Sequence, residues 1–206
     1  MRFLSALLSL SALAGIATSI PSPKPQGELL DTEPKTEIIG PFNLVSSSTN
    51  ATLDGKLLYS LHIGAAINLA VIDPPYKTNP FYLNLTTYPQ YDPSTPPFTT
   101  GLLYQTIMIG GNQTIPFMGS LQYDYRSDVV QLWFSVLQPL EEFRFVKEGE
   151  TEWLELGGLQ RFWICEGVST NYGPKQAVVW GLGAGKPRDL EVCSAVRFKK
   201  APVDMA

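Results

Sequence analysis

The sequence predicts an all-β fold, an antiparallel β-sandwich or barrel of about a dozen strands, with a β-trefoil as the alternative. Three observations carry that expectation. Apolar residues alternate with polar ones at a period of two along most of residues 41–200. Clusters of Gly, Pro, Asn and Asp punctuate the alternation at short intervals. No stretch carries the apolar period of an ordinary amphipathic helix. A period of two sends successive side chains to opposite faces of a strand, so each strand must bury one face against another sheet, and two packed sheets do this simply. A trefoil holds a similar number of strands but asks for a threefold repeat, which is not visible here.

The elements follow in order. Met1 and Arg2 put positive charge ahead of a compact apolar run, Phe3 to Ile16, and Ala17-Thr18-Ser19 supplies small residues. That is the layout of a secretory signal, with cleavage expected after Ser19. The run is shorter than the about 20 apolar residues of a spanning helix and breaks at Pro21 and Pro23. Residues 20–40, with Pro21, Pro23, Pro25 and Pro34 among polar neighbours, read as an extended, poorly ordered lead-in. A single domain is expected over residues 41–200, with 201–206 as a tail.

Within that domain, Leu57, Tyr59, Leu61 and Ile63 alternate with Leu58, Ser60 and His62, as in a half-buried strand. Gly64-Ala65-Ala66 turns into Ile67, Leu69 and Val71, which completes a hairpin. Asp73-Pro74-Pro75 ends it, because proline cannot donate to a ladder. Phe81, Leu83 and Leu85 share a face opposite Asn84. Tyr88 to Pro97 is a loop rich in Pro, Tyr, Thr and Ser, open to reading as a recognition surface or a plain connection. Leu102 to Ile109 is a strand, Gly110-Gly111-Asn112 a turn, and Ile115 to Tyr125 a pair of short strands broken at Gly119. Val130, Leu132, Phe134 and Val136 share a face, and Phe143 and Phe145 oppose Glu142 and Arg144. Lys147-Glu148-Gly149-Glu150 is a charged turn. Leu154 with Leu156, Phe162 with Ile164, Val178 to Trp180, and Val192, Val196 and Phe198 complete the set.

Charge and cysteine usage narrow the function classes. A net charge of −4 lacks the basic stripe that nucleic acid or an anionic membrane requires. No later window is apolar enough for membrane insertion, and Val203-Asp204-Met205-Ala206 is not a lipid-anchor signal. Cys165 and Cys193 reach an oxidising compartment if the leader is a signal, so a Cys165–Cys193 bridge is expected. Closing a loop of about 29 residues stabilises by roughly 3 to 4 kcal/mol on the chain-entropy argument. A metal site would need more ligands than these two thiols and the single His62, and no cofactor is expected. Asn50, Asn84 and Asn112 each open an Asn-x-Thr sequon and are candidate N-glycosylation sites.

No catalytic constellation is evident. Trp180 to Pro187 has the glycines of a phosphate loop, but Trp180 stands where glycine is needed and Pro187 where Ser or Thr is needed, so it reads as a loop. His62, beside Ser60 on a polar strand face, reads as a solvated histidine, and no G-x-S-x-G elbow occurs. Carboxylates that a glycosidase would pair are Glu141 with Glu142, the group from Glu148 to Glu152, Glu155, and Asp124 with Asp128; all sit at turns or on polar faces. Trp133, Trp153 and Trp163 fall opposite core-facing neighbours. They are candidate ligand-stacking aromatics for sugar rings, or else members of a second buried layer.

From Tyr59 through His62-Ile63-Gly64-Ala65 to Asn68-Leu69-Ala70-Val71, the chain resembles a family of small secreted fungal proteins built on a domain of unknown function. Phe162-Trp163-Ile164-Cys165, Val178-Val179-Trp180 and Cys193-Ser194-Ala195-Val196 are similar to that family's later strands, while residues 75–150 match only in character. The layout is also loosely similar to fungal phialide cell-wall proteins. The resemblance implies a fungal source and an extracellular or cell-wall location, and it carries no catalytic residues. The expected function is a secreted non-catalytic binding module, cell-wall-associated or effector-like, with cell-wall polysaccharide or a host protein as partner. The rival is a carbohydrate-active hydrolase using two of the acidic residues.

Overall fold

The alternation is realised as twelve strands in a computed structural model. It describes residues 33–72, 79–88, 98–109, 111, 113–123, 127–137, 139, 141–170, 173–183, 185–188 and 192–203. The first six strands are β1 (Lys35–Ser47), β2 (Leu58–Gly64), β3 (Ile67–Ile72), β4 (Phe81–Tyr88), β5 (Phe98–Met108) and β6 (Thr114–Gln122). The second six are β7 (Val129–Ser135), β8 (Phe143–Glu148), β9 (Thr151–Leu156), β10 (Phe162–Val168), β11 (Lys175–Gly181) and β12 (Cys193–Ala201). No α-helix occurs among the described residues, and none of them form a helix long and apolar enough to cross a membrane.

Pairing runs β1-β4-β5-β6-β7-β11-β10-β12 and is closed by β12 against β1, a ring of eight antiparallel strands. Two hairpins join it: β2–β3 through β3 on β7, and β8–β9 through β9 on β12. A closed ring with two attached hairpins is a barrel-like arrangement without the three equal units of a trefoil. β1 can serve two partners because it changes register. Its first part pairs β4 from Lys35 to Ile39 and, after a register shift, at Phe42 opposite Phe81, and its last part pairs β12 from Asn43 onward. The shift falls at Gly40, whose φ of +134° and whose position 2.9 Å from the Phe81 carbonyl, measured from where a Cβ would stand, admit only glycine. Buried Asn43 fastens the closure, its Nδ2 donating to the carbonyls of Pro202 (3.1 Å) and Val203 (3.3 Å).

Two hydrophobic clusters result. The inner one takes side chains from all eight ring strands, among them Phe42, Leu83, Leu103, Phe117, Phe134, Phe162, Trp180 and Phe198. Phe162 meets Trp180 and Phe198 edge to face, with centroids 4.9 and 5.5 Å apart. The outer cluster lies on the opposite face. There hairpin β2–β3 brings Tyr59, Ile63, Leu69 and Val71 against Val129, Cys165, Val168, Ala177, Val179 and Cys193. Cys165 and Cys193 stand directly opposite each other on β10 and β12 and are joined by a disulfide with an S–S distance of 2.05 Å.

Several expectations change in detail. β1 starts at Lys35, inside the stretch read as a lead-in: Ile38 and Ile39 between Pro34 and Pro41 are too short an apolar run to signal a strand, and pairing with β4 orders them. β6 passes through Gly119 unbroken, because the missing side chain there leaves room for the Phe134 ring, 3.3 Å from where a Cβ would stand. β2 is buried on both faces at its start, with Leu58 in the inner cluster and Tyr59 in the outer one. Val136 and Val192 are exposed, since β7 stops at Ser135 and β12 starts at Cys193. The expected signal segment, the lead-in up to residue 32, Asp73-Pro74-Pro75, residues 89–97, Asn112, Asp124 and residues 204–206 lie outside the described residues.

Candidate functional site

β10 sends Phe162 and Ile164 inward and Trp163 and Cys165 outward. Trp163, half-buried against the outer cluster, also forms a wall of a cleft of about 440 Å³. Ser48 and Thr49 bound it after β1, Gln160 and Arg161 before β10, Gly183 after β11, and Arg197 from β12. A Cβ on residue 181 would stand 3.0 Å from Trp163 Nε1, so Gly181 lets the indole lie against the backbone. The loops around the cleft are tied together. Arg161 donates from Nη1 to the Leu182 carbonyl (3.2 Å), Gly181 N–H donates to the Arg161 carbonyl (2.9 Å), and Ser48 Oγ donates to the Ala195 carbonyl (2.9 Å).

Arg197 connects this cleft to a second indole. Its guanidinium carbon lies 3.9 Å over the Trp153 ring, and its Nη2 lies 2.6 Å from Glu148 Oε1. One face of Trp153 is therefore covered by a cation that a carboxylate holds in place. Trp133 packs against the outer cluster and donates from Nε1 to Gln131 Oε1 (2.9 Å). The three candidate stacking residues thus go to three settings, and Trp163 lines a cleft. Sequence reading placed the indoles on the correct face but missed Gln160, Arg161, Arg197 and Ser48. Gln160 and Arg161 stand just before Trp163 in the chain, while strand pairing brings Arg197 and Ser48 beside it. A flat apolar ring edged by guanidinium, amide and hydroxyl groups matches the two-sided chemistry of a sugar, with a C–H face to stack and a hydroxyl edge to hydrogen-bond.

The acidic residues are mostly engaged. Glu148 pairs with Arg197, Glu152 with Lys200, and buried Glu155 with Arg144 (2.8 Å) and Gln160 (3.2 Å). Asp128 Oδ2 accepts the Arg188 N–H (2.7 Å), Glu150 is exposed in its turn, and Glu141 is half-buried. Glu142 and Glu152 line a second cavity of about 620 Å³ whose floor is Ile39, Leu83, Leu85, Phe143 and Phe145. Among the described residues no three His, Cys, Asp or Glu side chains gather as a metal site would require.

His62 is exposed, and it belongs to a polar chain that the sequence did not reveal. Its Nδ1 lies 3.1 Å from Asn68 Oδ1, Asn68 Nδ2 donates to Ser60 Oγ (3.1 Å), and Ser60 Oγ donates to Gln105 Oε1 (2.5 Å). Gln105 in turn donates to the Asn79 carbonyl (2.8 Å). Asparagine stands between serine and histidine, and the serine proton is directed to Gln105. The chain joins β2, β3 and β5 through the buried Asn68 and Gln105.

Of the sequon asparagines, Asn50 is exposed in a turn, where its Oδ1 accepts from Thr52 N–H (3.1 Å) and Thr52 Oγ1 (2.8 Å). Asn84 is half-buried beside a groove on the outer face of β4, β5 and β6. In comparison with known proteins, residues 40–202 match a family described as Domain of unknown function (DUF7907). No curated protein and no solved structure matches the chain.

Proposed function

The chain belongs to this family, and from that premise we propose that it is a secreted, non-catalytic binding module. In this reading it acts at a fungal cell wall or toward a host and takes carbohydrate in the Trp163 cleft. The observation that carries the reading is a half-buried indole walling an open cleft among Arg161, Arg197 and Gln160. The buried Cys165–Cys193 bridge and the signal-like leader support export. The Ser60 hydrogen bond to Gln105 and the cations bound to Glu148, Glu152 and Glu155 support a non-catalytic role.

Retention of the folded protein on chitin, β-glucan and mannan tests the reading, with Trp163→Ala and Arg161→Ala alongside. Binding to one polymer, weakened in both variants while near-ultraviolet circular dichroism stays native, is the expected result. Wild-type protein that passes through all three would end the carbohydrate version. One observation favours the rival hydrolase: Glu142 and Glu152 share the larger cavity. Oligosaccharide cleavage by the wild type that Glu142→Gln abolishes would replace the binding reading.

A further inference from the structure

On the outer face of the ring hairpin β2–β3 packs at one side, and the other side is open among the described residues. Over β4, β5 and β6 it carries a groove of about 410 Å³ whose walls are mainly apolar, with Leu102, Tyr104, Pro116 and Met118 among them. Tyr82 stacks on Tyr104, their centroids 5.3 Å apart, and extends the apolar surface along β4. Across the same face, Ile38 stands opposite Asn84 in register and is 60% exposed. An open apolar strip of this kind on an exported protein invites association unless something covers it.

The covering group has an attachment point at the edge of the groove. Asn84 lines it, sits between Ile38 and Leu102 in the cross-strand row, and opens the sequon Asn84-Leu85-Thr86. Its Oδ1 is buried with no hydrogen-bond partner, and its amide nitrogen makes no hydrogen bond among the described residues. A buried acceptor left without a donor is costly, and a sugar attached there brings hydroxyl donors to it.

We propose that Asn84 carries an N-linked glycan whose first sugars lie in the groove and cover Leu102, Tyr104 and Met118. The inference rests on the secretory reading above. The transfer forms a bond between Asn84 Nδ2 and the anomeric carbon of a lipid diphosphate-linked oligosaccharide. It breaks the sugar–phosphate bond and releases the lipid diphosphate and one amide proton. A pyranose is suited to the site: its C–H face packs on tyrosine and methyl groups, and its edge reaches Thr106 and Thr114.

The test is to secrete the full chain from a eukaryotic host, map glycopeptides by mass spectrometry, and measure binding of an apolar dye. Asn84 is expected to be occupied. Asn84→Gln, and Thr86→Ala, which removes the sequon but keeps the asparagine, should each raise dye fluorescence several-fold. Asn50→Gln, distant from the groove, should leave it unchanged. Asn84 bare while Asn50 is occupied would overturn the inference and leave secretion standing. Asn84 occupied, with dye binding unaltered in both groove variants, would also overturn it. Neither site occupied, with Cys165 and Cys193 as free thiols, would overturn the secretory reading and this inference together.

Discussion

The inner and outer clusters are built on the same strands by different means. Inside the ring, volume is supplied by large rings, with Phe42, Phe81, Phe134, Phe143, Phe162 and Phe198 all fully or almost fully buried. Outside it, Val129, Val168, Ala177 and Val179 make a layer of smaller side chains against which hairpin β2–β3 packs and which the Cys165–Cys193 bridge ties together. A closed ring has a fixed interior that must be filled, and an aromatic side chain buries about 150–250 Å². Hairpin β2–β3, joined to the ring by pairing of β3 with β7, brings Tyr59, Ile63 and Leu69 onto this layer of smaller side chains. The ring therefore depends on packing, while the outer layer adds a covalent tie to a modest burial.

Perturbations of each region sharpen the contrast, beginning with the largest. Phe162→Ala should cost about 3–5 kcal/mol in urea denaturation, because it empties the centre of the inner cluster and removes two edge-to-face partners. A cost near that of a surface substitution would break the distinction. Replacing Cys165 and Cys193 together by alanine should cost about 2–4 kcal/mol. Hydrogen exchange should then rise on β2 and β3 before it rises on β4 and β5. Uniform exchange across both would show that the two clusters unfold as one. Val179→Ala should cost about 2 kcal/mol, well short of the phenylalanine, from two lost carbons and a small cavity.

The smallest effect concerns the part of the outer face over β4, β5 and β6, away from hairpin β2–β3. Burial, with Tyr82 beside it, raises the Tyr104 phenol above its ordinary value of 10.0. The folded protein thus holds that proton more tightly than the unfolded chain does. Stability from this group is full below pH 10.0 and is lost as pH rises through the folded pKa. Tyr104→Phe should flatten the alkaline decline in short thermal scans. Parallel declines in both proteins would remove Tyr104 as its source.

The legible part of the fold was the part with strong contrast between faces. Leu132 and Phe134 alternating with Gln131 and Trp133, or Phe81 and Leu83 opposite Asn84, identify strands directly, and those apolar residues do enter the inner cluster. The outer cluster was legible on the hairpin, at Tyr59, Ile63, Leu69 and Val71, and hidden on the ring, where Cys165, Ala177 and Val179 sit opposite the inward-facing residues. Ala177 and Val179 are small, and what buries them is a hairpin placed by pairing of β3 with β7, far apart in the chain. Glu155 looked like a surface acid and is buried because Arg144 and Gln160 meet it. The Trp163 cleft was half legible. Its indole lay on the expected face with Arg161 two residues before it, while Arg197 comes beside it through pairing of β10 with β12, which no local spacing encodes.

The pairing of β1 with β12 also governs how the domain is made. Lys35–Ser47 emerges early in synthesis, yet its second half has no ladder until Cys193–Ala201 has followed. Contacts of such long sequence separation form slowly, and a nascent chain waiting for its last strand presents unsatisfied edges to its neighbours. Chains cut short before Cys193 should accumulate as chaperone-bound or aggregated intermediates rather than as a smaller stable domain.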